Sequence, residues 1–180
     1  SDLLSLIRKV CEAGTYAPSG GNRQPWLFVA VSDESKRAKI ADLYRDVFDA
    51  YIAPAVEAAK DPNYPEVKRK NMRAAMYLAE HLHEAPIHLF VAGWTRRGAP
   101  QSQALFPAIQ NVLLACRAVG LGASLTTAHR GHGEEIDRLL GLDPEKTPSI
   151  ALIPIGWPKG RYGTPTRRSI DTCFFVDEVP

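Results

Sequence analysis

Several of the usual carriers of chemistry are scarce or missing in this chain. It has three cysteines, Cys11, Cys116 and Cys173, odd in number and far apart. That excludes a disulfide framework and offers no spaced thiols for a zinc or redox centre. Cys11 and Cys116 fall in apolar helical patterns, where a thiol serves as a small buried hydrophobe, and this usage predicts a reducing, cytoplasmic setting. Charge of one sign is also lacking: 22 Lys and Arg against 20 Asp and Glu leave a net +2 over 180 residues. The signs are interleaved, so no basic stripe exists for nucleic acid and none is expected as a partner. No apolar run is long enough to cross a bilayer and no secretory pattern opens the chain, so no membrane partner is expected. Internal repeats are absent.

Familiar catalytic signatures are missing too. There is no Gly-x-Ser-x-Gly elbow, no Walker loop and no zinc-peptidase helix. Gly120-Leu121-Gly122 follows a helical pattern, the wrong context for a dinucleotide-binding turn. His81 and His83 are two apart in a helical pattern and so face different sides. His129 and His132 have no Cys or carboxylate pattern to complete a metal site. All the histidines are therefore expected at the surface or at helix caps.

What is present reads as one domain over 1–180, with a Pro- and Gly-rich extended tail from 157 to 180. Leu3, Leu6, Ile7, Val10 and Cys11 recur at helical spacing, closed by Gly14. Trp26–Val31 and Ile87–Ala92 read as buried strands, Ala123–Ala128 as a short one, and Ser149–Gly156 as a fourth. Pro154 predicts that the last of these is an edge strand or exits early. Ser32 is the expected cap of a second helix, which Pro54 should kink or end. A third helix is expected from Pro65 to Glu84 and a small one from Glu134 to Leu140, closed by Gly141. Gly93–Ser102 reads as a surface loop or a lid, the loop being the simpler reading. Gln103–Val119 is the most apolar helix and nearly without a polar face, so it should be covered on every side, by core or by another subunit. The tail ends in an apolar stretch, Thr172–Val176, that predicts a strand.

The stretch Ala17-Pro18-Ser19-Gly20-Gly21-Asn22-Arg23-Gln24-Pro25-Trp26 stands between a helix and a strand. Adjacent glycines permit backbone angles closed to other residues and close approach of a neighbour, while the prolines stiffen the loop. Taken alone it reads more simply as an ordinary helix-to-strand turn. Two further pieces suit a ligand: Gly122–Thr127, with an accessible main chain and two hydroxyls, and Arg161, Arg167 and Arg168, suited to a phosphate. An aromatic, polar-edged ring with a phosphate tail would use all three. A chain lacking its own nucleophile and metal would leave the reaction to such a cofactor.

The loop from Ala17 to Trp26 resembles the signature of the FMN-dependent nitroreductase family. So do the blocks that follow in order: Ala108–Ala115, Gly120–Ser124, Pro154–Pro158 and Arg167–Ile170. The resemblance implies an α+β, nitroreductase-like fold with a central mixed, mainly antiparallel sheet flanked by helices. It also implies a homodimer whose C-terminal tails are domain-swapped, with FMN in the subunit interface. By analogy Pro18, Ser19, Gly20 and Asn22 contact the flavin from one subunit, and Leu125, Thr126 and Thr127 lie near its N5 edge with a main-chain donor. Arg167, or Arg168 one register on, holds the phosphate. No side chain is expected to be catalytic. The implied activity is ping-pong hydride transfer from NADH or NADPH, through FMN, to a small acceptor such as a nitroaromatic or quinone. Tyr44, Phe48, Trp94 and Phe106 are candidates for the acceptor pocket or for core. Other readings implied by the family are a flavin-sequestering protein without turnover, or a relative that uses reduced FMN with oxygen or for dehalogenation. One departure stands out: the family's Arg-Arg-Ser-type phosphate grip has no counterpart ahead of Leu3. The expectation is that residues precede Ser1 or that the tail alone holds the phosphate.

Overall fold

Trp26–Val31 (β1), Ile87–Gly93 (β2) and Ser149–Gly156 (β6) pair side by side, and Gly122–Ala123 (β5) completes a sheet of order β1-β2-β6-β5. The computed structural model describes residues 2–96, 99–160 and 163–179. Among them every ladder is antiparallel, from Trp26↔Gly93 in the first to Gly122↔Gly156 in the last. No parallel member of a mixed sheet is found among these residues.

Alternation along the strands sends side chains to two cores. Ile87, Leu89 and Val91 of β2, with Ile153 and Ile155 of β6, face one layer made by α1 (Leu3–Thr15) and α4 (Ser102–Ala118). Phe90 and Leu152 face the other, built from α2 (Glu34–Ala58), α3 (Glu66–His81) and α5 (Gly133–Leu139). Both faces of β2 are covered, so it reads as a continuous apolar run. α1 and α4 approach closely at Gly14, where a Cβ would sit 2.8 Å from Val112 Cγ2 and 3.0 Å from the Phe28 ring. Asn111 Nδ2 donates to the Ala13 carbonyl across the same contact.

Prolines mislead the sequence reading at two points. α2 runs through Pro54 without ending there. Pro54 and Ala50 are exposed, so water can satisfy the carbonyl that loses its donor. β6 is internal, not an edge, although it contains Pro154. Leu152 exchanges two 2.9 Å bonds with Thr126, so alternate residues of β6 turn their backbone groups toward β5. Pro154 therefore points its missing N–H at the two-residue edge strand, opposite Ser124, and costs the β2–β6 ladder nothing. This also explains why the strand expected over 123–128 pairs only at Gly122, Ala123 and Thr126.

Smaller differences have equally local causes. Asp33 caps α2 in place of Ser32, accepting from Lys36 N at 2.8 Å. The Gly93–Ser102 segment contributes β3 (Thr95–Arg96) paired with β4 (Ala99–Pro100), with Arg97 and Gly98 outside the described residues. Residues 163–179 are exposed throughout and contain no strand, only a turn at Ile170–Thr172. The strand expected at 172–176 has no partner among the described residues.

Candidate functional site

The loop after α1 is shaped by positive φ angles at Gly21 (62°), Asn22 (50°) and Gln24 (49°). Asn22 N donates to the Ser19 carbonyl at 2.9 Å and Gln24 N to Ser19 Oγ at 3.0 Å, which sets the turn. Two left-handed non-glycine residues within three positions are costly, and they are held by these bonds and by Pro25. The loop forms one wall of a cleft of about 810 Å³, where Pro18, Ser19 and Gly20 face Gln103, Ala104 and Pro107 of α4. Gly20 is informative. Its backbone needs no glycine, and a Cβ built on it meets nothing within 4 Å. Neither conformation nor packing inside the chain accounts for the residue. Asn22 belongs to the same turn but does not line the cleft.

Leu125, Thr126 and Thr127 line a second cleft of similar size, about 810 Å³. Its opposite wall is aromatic: Tyr44, Phe48 and Tyr51 from α2, with Leu78 of α3 behind them. Tyr44 and Phe48 stack at 6.0 Å between centroids. The main-chain groups of Leu125, Thr126 and Thr127 are not equivalent. Thr126 gives both main-chain groups to Leu152, and its hydroxyl lies 2.9 Å from the Tyr44 hydroxyl. Among the described residues the amides of Leu125 and Thr127 have no partner, and strand alternation turns them away from β6. They are the available main-chain donors. Burial raises the Tyr44 phenol above its ordinary value, against the opposing effect of the Thr126 bond, so the hydroxyl stays protonated.

The segment carrying these residues is anchored from behind. In the turn Ala128–His132, His129 is fully buried and its Nε2 lies 3.3 Å from Ser149 Oγ. Ser149 donates both its hydroxyl and its amide to the buried Asp137 of α5. Burial pushes the Asp137 carboxyl up and the His129 imidazole down to about 4, leaving the imidazole neutral. The order Asp–Ser–His is not that of a hydrolase, because the serine points at the carboxylate and lies outside both clefts. His132 adds a 2.7 Å bond to Asp46, and Gly131 packs directly on Val47.

His129 thus corrects the expectation that the histidines are superficial, as does His88. On β2, His88 is fully buried, gives Nε2 to the Leu82 carbonyl at 2.8 Å, and is lowered to about 4 by burial. Its place inside the run Ile87–Ala92 was the available signal. Cys11 and Cys116 behave as expected of small hydrophobes, with burial raising their thiols to about 12 and about 11.

Within one chain, then, the predicted residues fall into separate groups. Pro18, Ser19 and Gly20 line one cleft, Leu125, Thr126 and Thr127 the other, and the two share no residue. Arg167 and Arg168 are exposed on the tail, Arg167 donating to the Thr166 carbonyl at 2.9 Å and to no other group among the described residues. Arg161 lies outside the described residues. Tyr44 and Phe48 line the second cleft and also belong to the core, whereas Trp94 and Phe106 line neither cleft and are partly exposed. Arg23, Arg96 and Tyr51 line the clefts without having been singled out. Among the described residues no cluster of His, Cys, Asp and Glu could hold a metal ion.

The chain is 30% identical over 170 residues to the 5,6-dimethylbenzimidazole synthase of Rhodospirillum rubrum, covering 88% of this chain and 74% of that protein. It is 28% identical to the iodotyrosine deiodinase of Daphnia pulex, with 87% of this chain matched but about half (52%) of the deiodinase's length. The fold superposes with a TM-score of 0.67 on the FMN- and NADPH-dependent nitroreductase NfnB from Sphigopyxis sp. strain HMH, at 21% identity, over 99% of this chain and 92% of that one. The sequence model of the nitroreductase family matches residues 4–157, a span that takes in the glycine loop, both clefts and all four strands of the sheet, and the chain belongs to that family.

Proposed function

We propose that this protein is an FMN-dependent oxidoreductase that moves hydride from NADH or NADPH to a small, uncharged aromatic acceptor of the nitroaromatic or quinone kind. The observation that carries the reading is Gly20: a glycine lining a cleft, with open space where a side chain would stand. Such a position suits a flat ligand lying against the main chain, and the residues present fit FMN. The FMN named for NfnB supports the cofactor, and its NADPH dependence supports the hydride donor. Bound here, FMN would supply hydride uptake and two-electron delivery.

In this reading Pro18, Ser19, Gly20 and Asn22 hold one side of the ring. Leu125, Thr126 and Thr127 approach it from the partner of a homodimer, because within a single chain they occupy a different cleft. The free amides of Leu125 and Thr127 supply the main-chain donors, Thr126 being committed to β6. Arg167 or Arg168 takes the phosphate. Dimerisation is supported by apolar surface with nothing over it: Phe106 and Leu114 on α4, and Ile170, Phe174 and Val176 on the tail are 42–71% exposed. The cover predicted for α4 would be a second copy of the chain.

The second cleft favours an uncharged acceptor. No charged side chain lines it among the described residues. A deiodinase substrate such as iodotyrosine is an amino-acid zwitterion, whose ammonium and carboxylate would enter without counter-charges from this wall. Purified protein reconstituted with FMN should show a flavin spectrum that NAD(P)H bleaches anaerobically, and menadione should restore it. A protein that gains no flavin absorbance and oxidises no NAD(P)H ends the proposal. One that binds FMN but resists NAD(P)H is a sequestering protein instead.

A further inference from the structure

Two guanidinium groups stand in the glycine-loop cleft without a counter-charge among the described residues. Arg23 follows the turn at Asn22, and its Nε would lie 3.8 Å from a Cβ at Gly21, so the side chain folds over the loop. Arg96 enters from the far side on β3. That hairpin is fixed by Thr95, whose N donates to the Lys146 carbonyl at 2.8 Å and whose Oγ1 donates to the Glu145 carbonyl at 3.0 Å. Both arginines line the same cleft, together with Ser19, Gly20, Gln101 and Gln103, and no carboxylate among the described residues lines it.

Neither Arg23 nor Arg96 makes a hydrogen bond or ion pair among the described residues. Several arginines are engaged, Arg37 with three carbonyls, Arg73 with Glu66 and Arg138 with Glu134, while Arg8, Arg130 and Arg168 make no such bond among the described residues; Arg23 and Arg96 differ from those three in lining one cleft together. Two like charges presented into one concave space repel each other unless an anion joins them. The guanidinium fork matches phosphate oxygens in pairs, and glycine next to it allows a bulky phosphorylated molecule to approach.

We infer that Arg23 and Arg96 form a phosphate-monoester subsite in this cleft, distinct from the tail arginines. The inference rests on the flavin reading for its two candidate owners: the 2′-phosphate of NADPH, or the 5′-phosphate of FMN, in which case Arg167 and Arg168 do not hold it. Both offer the same dianion, and binding measurements separate them.

The test compares wild type with Arg23→Gln, Arg96→Gln and the double variant, using Arg8→Gln, on the exposed face of α1, as control. Equilibrium titration and thermal shift are run with FMN against riboflavin, and with adenosine 2′-monophosphate against adenosine. Wild type should favour the phosphorylated member of one pair by about tenfold or more, and the double variant should lose most of that preference. A gap that closes for FMN assigns the subsite to the flavin, and one that closes for adenosine 2′-monophosphate assigns it to the hydride donor. If both gaps survive in the double variant, or wild type has neither, the inference is wrong. It is equally wrong if the double variant merely dissociates the dimer in sedimentation while phosphate preference persists, because the arginines then meet the partner subunit. The adenosine pair judges the subsite even if the protein binds no flavin, so the two readings fail separately.

Discussion

The hydroxyl of Tyr44 lies 2.9 Å from Thr126 Oγ1, joining the second helix to the sheet edge across 82 residues of sequence. The two ends of this bond differ. Tyr44 is 2% exposed and has no other partner for its hydroxyl among the described residues, whereas Thr126 Oγ1 also accepts from Ala128 N at 3.3 Å. Tyr44→Phe should therefore cost about 0.5–1.5 kcal/mol, and Thr126→Val about 1–3 kcal/mol, because the valine strands a buried phenol. Urea denaturation of the two variants would reveal the asymmetry. Equal costs would mean that the phenol finds water.

Gly20 and Gly21 should respond oppositely. Gly20→Ala leaves stability within about 0.5 kcal/mol, since nothing is displaced. Gly21→Ala costs roughly 1 kcal/mol or more, because φ is +62°. In FMN titrations the order reverses: Gly20→Val weakens binding by about tenfold or more, by filling the space the ring needs. Unchanged FMN affinity in Gly20→Val would move the flavin out of this cleft.

Arg167→Ala is expected to leave the melting temperature of the unliganded protein and the dimer mass unaltered, since among the described residues the side chain bonds only its neighbour's carbonyl. FMN affinity should fall about tenfold or more if Arg167 holds the phosphate. If Arg168→Ala falls and Arg167→Ala does not, the register is shifted by one.

Acid should unfold the protein through its two buried histidines. Each has a folded pKa of about 4 against an ordinary 6.5, so its contribution is complete above pH 6.5 and is lost as pH falls toward 4. At about 1.4 kcal/mol per unit, each contributes about 3 kcal/mol of this loss. Asp137 has the opposite sign: its raised carboxyl favours the folded state at low pH, and that support fades as pH rises. The slope of stability between pH 6.5 and 4 should flatten by about half in His129→Gln. An unchanged slope there would mean that His129 is already protonated in the fold.

Gly131 packs against Val47, and a Cβ added there collides with the valine methyls. Gly131→Ala should cost about 1–3 kcal/mol, and Val47→Ala in the same chain should recover part of it. The shared displacement of Ala128–His132 would be read as weaker acceptor binding in the second cleft.

Much of this was legible from residues alone. The strands Trp26–Val31 and Ser149–Gly156 have the bounds their apolar runs predict, and the glycine loop lines a cleft. The errors concern direction. Pro54 and Pro154 announce a missing donor, but only the fold says whether that donor would have faced water, an edge or a ladder. His88 and His129 are polar by type and buried by neighbourhood. The division of site residues between two clefts was not visible, because adjacency in the sequence says nothing about which wall a segment joins.

Pro154 has one more effect, on the opposite strand. By withholding a bond from Ser124, it acts as a stopper in a zip that would otherwise close from Gly122 to Thr126. Ser124 is thereby left unpaired among the described residues, and Leu125, held only through Thr126 beyond it, is free to curl outward. Valine at 154 would let the edge seal, flattening the lip from which any guest of that cavity must be greeted.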